Sequence, residues 1–229
     1  MSTVLITGAN RGIGLALTQT YADRGDQVFA TCRDPEKADD LRHLADRNPA
    51  VSIVRLDVTN PDTITAAAKA VGGAPIDILI NNAGTLFPRN QTSLNMDFDG
   101  WSNSFAINTM GPLRVAQAFL ANMRASDNGR IVTITSRMGS SASADSNYLA
   151  YRSTKAAVNR VMQGLAIELR GEGIVVIVIN PGWVRTAMGG GAAPLSTEQS
   201  AQGIAAVTNN LTAKDSGKFF NMDGQQIPW

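Results

Sequence analysis

Short apolar runs recur along the chain, separated by stretches with helical periodicity. The strand candidates are Thr3–Thr7, Gln27–Thr31, Val51–Leu56, Ile76–Ile80, Arg130–Thr135, Ile174–Ile179 and Lys218–Asn221. Several are apolar at successive positions, the pattern of strands buried on both faces of a parallel sheet. Between them, Ile13, Ala16, Leu17 and Tyr21 fall on one helical face, and Val158, Val161, Met162, Leu165 and Leu169 on another. Repeated alternation of strand and helix predicts an α/β fold, a doubly wound parallel sheet of about seven strands with helices on both faces. No linker, repeat or low-complexity tract interrupts the pattern, so residues 1–229 read as a single domain. The run from Gly189 to Pro194 predicts a flexible loop, and a short substrate lid is expected around 186–200.

Composition narrows the picture. Apolar residues make up 44% of the 229 and charged residues 17%, enough for a sizeable core. The formal charge of +1 calls for neither a nucleic-acid nor a membrane partner. Cys32 is the sole cysteine, so no internal disulfide forms, and a reducing, cytoplasmic setting is expected. One histidine, His43, and one cysteine predict no metal site. The start, MSTVLITGAN, reads as a strand and not as a signal peptide. No segment approaches the roughly 18 uncharged apolar residues of a membrane span.

The first strand runs into Thr7-Gly8-Ala9-Asn10-Arg11-Gly12-Ile13-Gly14, and a helix follows. Glycines let the backbone turn sharply and come close to a ligand. A helix start then offers free N–H groups and partial positive charge to a diphosphate. Alone, the cluster is weak evidence and otherwise a tight β–α turn; between first strand and first helix it points to a dinucleotide. The second strand ends in Cys32 and Arg33, where an NAD site usually places a carboxylate. A guanidinium there suits a 2′-phosphate, and Arg11 is placed to reach the same group. The alternative is a pair of solvated arginines. NADP(H) is therefore expected over NAD(H).

Tyr151-Arg152-Ser153-Thr154-Lys155 sets a phenol and an ammonium four residues apart, on one helical face. A nearby cation lowers a phenol's pKa from about 10, so Lys155 is expected to make Tyr151 an effective acid. Tyr148 is excluded, because Arg152 and not a lysine lies four residues on. Ser136 follows the fifth strand, where parallel α/β sheets bind ligands, and a hydroxyl there can donate to a developing oxyanion. It is otherwise a capping or turn serine. Asn108 sits in a helical stretch, where asparagine is a mediocre former, and is otherwise a core amide.

These motifs resemble the short-chain dehydrogenase/reductase family. Residues 7–14 match its Thr-Gly-x-x-x-Gly-x-Gly motif, Asn81-Asn82-Ala83-Gly84 its Asn-Asn-Ala-Gly motif, and Tyr151 with Lys155 its Tyr-x-x-x-Lys pair. The segment 148–155, the run Gly182-Trp183-Val184-Arg185-Thr186 and the ending Asp223–Trp229 are similar to the C-factor and Sniffer-type carbonyl reductases. The resemblance implies a Rossmann-type fold and NADPH-dependent reduction of an aldehyde or ketone, or the reverse. It implies catalysis by Ser136, Tyr151 and Lys155, with Asn108 holding a water that resupplies protons. It implies cofactor contacts from Gly8, Asn10, Arg11, Gly12, Ile13, Gly14 and Arg33. Asp57 and Val58 resemble the adenine-contacting pair, though Asp57 is otherwise a turn aspartate. Asn81, Ala83, Gly84, Tyr151, Lys155, Pro181, Gly182, Val184 and Thr186 complete the implied contacts. A small-molecule carbonyl or alcohol substrate and a homodimer or homotetramer follow from the same likeness. The substrate pocket is expected to draw on Leu86, Phe87, Met138, Trp183 and Met188. The rival reading is an NADP(H)-binding signalling or regulatory protein that does no chemistry, since a fold does not dictate function.

Overall fold

A computed structural model of the chain describes residues 1–88, 92–142 and 145–229. The strands are β1 (Thr3–Thr7), β2 (Gln27–Cys32), β3 (Val51–Arg55), β4 (Ile78–Asn81), β5 (Arg130–Ile134), β6 (Val175–Asn180) and β7 (Phe219–Asn221). They form one sheet in the order β3-β2-β1-β4-β5-β6-β7, and every neighbouring pair is parallel. The order reverses between β1 and β4, the switch point at which such sheets bind ligands.

Alternate residues of the central strands feed two cores. Val4, Ile6, Ile78, Ile80, Val132, Ile177 and Ile179 point to one face. There they meet Leu17 of α1 (Gly12–Ala22), Leu41 of α2 (Asp39–Arg47) and Ile204 of α8 (Thr197–Asn209). Leu5, Leu79, Ile131, Val176 and Val178 point to the other. That face is covered by α3 (Pro61–Val71), α5 (Gly111–Ala118), α6 (Leu120–Arg124) and α7 (Leu149–Glu168), with Ile64, Val115 and Val158 in the core, and α4 (Phe98–Phe105) packs beside α7. The apolar runs thus continue through successive positions because both faces of the sheet are covered.

Several strands start later or stop earlier than the apolar pattern suggests: β3 stops at Arg55, β6 starts at Val175, β7 starts at Phe219, and β4 and β5 are shortened as follows. Ile76 is buried but gives its N–H to the Asn122 carbonyl, so β4 starts at Ile78. β5 ends at Ile134, one residue before Thr135. Between α4 and α5 the chain makes a π-helical turn, Ala106–Met110, with Asn108 at its centre. Such turns mark places where a helix is widened to carry a function. Among the described residues no helix is long and apolar enough to cross a membrane.

Candidate active site

A crevice of about 1190 Å³ opens at the carboxyl ends of the strands, beside the switch point. That exceeds the roughly 300–1,000 Å³ of a pocket for one small ligand. Its walls include Gly8, Asn10, Arg11, Gly12, Ile13 and Gly14. Gly8 and Gly12 have φ of +65° and +56°, a region that favours glycine. A Cβ on Gly8 would lie 2.9 Å from Ala83 Cα, so the end of β1 and the segment after β4 touch without room for a side chain. α3, α4 and α8 are capped by the side chains of Asn60, Asp97 and Ser196. The N-cap of α1, Arg11, makes no such bond, and no acidic residue sits in the first turn. Its N–H groups therefore face the crevice as a ready anion site. This cradle fits a dinucleotide diphosphate.

The cradle is laced by two residues inside the matched motifs, Thr7 and Asn82, that the implied cofactor contacts leave out. Thr7 Oγ1 accepts from the backbone N–H groups of Asn82 and Ala83, each at 3.0 Å. Asn82 Nδ2 donates to the carbonyls of Thr7 and Gly8, at 2.9 and 3.0 Å. Asn82, and not Asn81, is the asparagine that shapes the crevice. Asn81 is buried at the end of β4, where its amide donates to Thr133 Oγ1 at 3.3 Å.

Arg11 and Arg33 stand on the crevice wall, and Lys37, which the sequence reading overlooks, joins them. Arg33 is exposed and pairs with Asp34 at 3.3 Å. Val58, Ala83, Gly84, Pro181 and Thr186 line the wall as expected positions, and so does Asp57. Asp57 Oδ1 accepts from the Thr59 N–H at 2.8 Å and from its hydroxyl at 2.7 Å, a turn role. Gly182 and Val184 lie behind the wall: Val184 is buried and bridges to Leu195, and Leu195 packs on Gly182.

Tyr151 and Lys155 lie on the first turns of α7 and both reach the crevice while nearly buried, at 8% and 5% exposure. Tyr148 starts the same helix with φ +51°, exposed and outside the crevice wall. Ser136 caps the short turn Arg137–Gly139, where its Oγ accepts from the Met138 N–H at 3.2 Å. The turn is held by Asn180 Oδ1, which accepts from the Arg137 N–H at 3.0 Å. It is held again by Asn159, whose Nδ2 donates to the Gly139 carbonyl at 3.2 Å. Ser136 acts on the Tyr151 phenol and draws its pKa down, although Ser136 itself is not among the residues of the crevice wall.

The expected acidification of Tyr151 by Lys155 is not what this arrangement produces. Burial pushes the phenol up to about 12, and the Ser136 hydrogen bond is the contact that draws it down. Burial also pulls Lys155 down to about 8. Both groups are out of water, and desolvation penalises each charged form more than the pair compensates. Lys155 Nζ instead donates to the Ile134 carbonyl at 2.9 Å and lies 5.7 Å from the Tyr151 ring centre.

Asn108 is buried, with its amide fully engaged. Its Oδ1 accepts from the Thr85 N–H at 2.8 Å, and its Nδ2 donates to the Thr85 carbonyl at 2.9 Å and to Thr154 Oγ1 at 3.0 Å. The side chain thus serves as a brace beneath Gly84 and Lys155. Of the residues expected at the substrate end, Phe87 and Met188 line the crevice, while Leu86, Met138 and Trp183 do not. Trp183 faces outward at 57% exposure, and Thr85, Asn103 and Ile107 occupy the wall instead.

Comparison with known proteins places this geometry. The short chain dehydrogenase model matches residues 2–194. The chain belongs to the short-chain dehydrogenase family. NADPH-bound carbonyl reductase from chicken fatty liver superposes with a TM-score of 0.94 at 36% identity, covering 100% of this chain and 99% of that one. Carbonyl reductase Sniffer of D. melanogaster gives 0.94 at 29% identity over all of both chains. The C-signal protein of Myxococcus xanthus is 39% identical over 165 residues, 72% of this chain and 99% of that protein. This short-chain dehydrogenase is therefore an oxidoreductase by family, with carbonyl reductases as structural neighbours.

Proposed function

We propose that the protein reduces a small carbonyl compound to an alcohol with NADP(H), or runs the reverse reaction. The observation that carries this is the pair Tyr151 and Lys155 on the wall of one crevice with a bare helix start, with Ser136 beside the Tyr151 phenol. Gly8, Gly12 and the first turn of α1 would hold the diphosphate. Arg33, Lys37 and Arg11 would hold a 2′-phosphate, and Lys155 the nicotinamide ribose. The bound cofactor supplies the hydride. Ser136 donates a hydrogen bond to the carbonyl oxygen and orients it. Tyr151, kept protonated by burial, gives that oxygen its proton. Asn108, through its bonds to Thr85 and Thr154, keeps the turn beneath Lys155 in place. Residues 186–200 act as the substrate lid, with Met188 in its wall.

Stopped-flow oxidation of NADPH with a panel of aldehydes and ketones, run beside NADH, tests this. Turnover with NADPH that disappears in Tyr151→Phe supports it. No turnover with any member, despite NADPH binding, favours the second reading, a signalling protein that binds the dinucleotide; the likeness to C-signal is what favours that reading.

A further inference from the structure

The first turn of α7 is fastened to the helices beside it by two hydroxyl relays. In one, the Trp101 indole N–H donates to Ser153 Oγ at 2.8 Å, and the Ser153 hydroxyl donates to the Ala150 carbonyl at 2.9 Å. In the other, Asn108 Nδ2 donates to Thr154 Oγ1 at 3.0 Å, and the Thr154 hydroxyl donates to the Tyr151 carbonyl at 2.8 Å. The Ala150 carbonyl belongs to the peptide unit before the Tyr151 Cα, and the Tyr151 carbonyl to the unit after it. The relays therefore grip both peptide planes whose rotation sets where the phenol points.

Trp101 is suited to anchoring one of them. Its ring lies between Phe98 and Phe105 on α4, each 6.0 Å away centre to centre. Those tilted contacts fix the indole, so its N–H arrives at Ser153 from a set direction. A serine hydroxyl turned back to the carbonyl three residues earlier weakens a helix if left to itself. Here the indole N–H satisfies the same oxygen from outside the helix and ties that turn to α4.

We propose that Trp101 and Ser153 are positioning residues for Tyr151, acting through the Ala150 carbonyl. This rests on the carbonyl-reduction reading above. Holding the phenol in line matters because a misplacement of about 1 Å costs on the order of a hundredfold in rate. Trp101→Phe keeps an aromatic ring, though a smaller one, and removes the N–H; Ser153→Ala removes the hydroxyl; Ser153→Thr retains it.

The test is a double-mutant cycle on kcat, with NADPH affinity and the carbonyl KM measured alongside. Trp101→Phe and Ser153→Ala are expected to lower kcat about five- to twentyfold, short of that full misplacement cost. KM and NADPH affinity should stay within about twofold, because neither residue lines the crevice. The double variant should be no slower than Ser153→Ala alone, and Ser153→Thr should restore most of the rate. Amide exchange over residues 148–155 of the unliganded protein should quicken in both single variants. Wild-type kcat in the single variants, losses that multiply in the double variant, or unchanged exchange would overturn the proposal. If the wild-type protein binds NADPH but reduces no carbonyl, the function reading fails by itself, and the exchange measurement still decides whether the relay holds the turn.

Discussion

Lys155 donates its ammonium proton to the Ile134 carbonyl at 2.9 Å and stands 5.7 Å from the centre of the Tyr151 ring. The two side chains sit one helical turn apart in the same dry corner, and burial shifts both toward their neutral forms. Sharing one helical turn with an amine is therefore not enough to acidify the phenol.

That corner predicts a specific pH dependence of stability. The Lys155 value is near 8 in the fold, against 10.5 for the unburied group. Between those values the unfolded chain binds the extra proton, so unfolding free energy rises with pH across that window. Below pH 8 the full penalty for the buried ammonium is present. Tyr151 acts in the opposite sense at higher pH: its stabilisation is intact below pH 10 and is lost as pH rises toward 12. Urea unfolding at pH 7.5 and 9.5 should show a rise of roughly 2 kcal/mol attributable to Lys155, at about 1.4 kcal/mol per pKa unit. The rise should shrink in Lys155→Met. An equal rise in that variant would place its origin elsewhere.

Removing the phenolic hydroxyl should stop chemistry without dismantling the crevice. Tyr151→Phe keeps the ring in its buried seat, so NADPH affinity should change by less than about twofold while kcat falls by roughly 10² to 10⁴. Ser136→Ala should cost about 10² or more, the loss of one donor to the developing oxyanion. Fluorescence titration with NADPH and single-turnover rates measure the two effects separately. A Tyr151→Phe protein that reduces its substrate at the wild-type rate removes the phenol from the mechanism.

Preference between the two nicotinamide cofactors should lie in Arg33 and Lys37. Both stand on the crevice wall, and Arg33 is exposed and paired only with its neighbour Asp34 at 3.3 Å among its described ion pairs. A surface pair of that kind contributes little, so the guanidinium is free to turn to a stronger anion. A charge-assisted hydrogen bond to phosphate is worth about 1.5–3 kcal/mol, so Arg33→Ala should weaken NADPH about 10- to 100-fold. NADH affinity should barely move. Equal weakening of both cofactors would point to lost packing and not to phosphate recognition.

What was legible in the sequence follows from what is local. The doubly wound sheet shows as apolar runs because its strands are covered on both sides, and Tyr151 and Lys155 show because four residues make one helical turn. Gly8 and Gly14 stand where contacts leave no space for a Cβ, and Gly12 where φ is +56°. The part Asn82 plays within its motif is not legible locally, because it reaches the carbonyls of Thr7 and Gly8, about 75 positions back. The Tyr151 value went astray for a related reason. Spacing along a helix reports distance, whereas the shift is decided by water excluded by β5, α7 and the Ser136 turn, which no single segment encodes.

The glycine-rich stretch after β6 is the clearest case where composition misleads, and it carries the last prediction. Gly189-Gly190-Gly191 reads as loose chain, yet the loop is tied to itself. The Trp183 indole N–H donates to the Gly189 carbonyl at 2.8 Å, and the Gly189 N–H donates to Thr186 Oγ1 at 3.0 Å. Arg185 Nη1 donates to the carbonyls of Ala193 and Pro194, at 2.9 and 2.7 Å. These bonds shape the segment that brings Thr186, Ala187 and Met188 to the crevice wall. Trp183→Phe keeps an exposed, smaller aromatic ring but opens one tie. The loop should then exchange amide protons faster and NADPH should dissociate several-fold sooner, since a bond of this kind contributes about 0.5–1.5 kcal/mol. The melting temperature should hold within a few degrees, because the indole lies outside both cores. A Phe variant with unaltered exchange over 185–195 and unaltered NADPH release would mean that the loop keeps its shape without the indole bond.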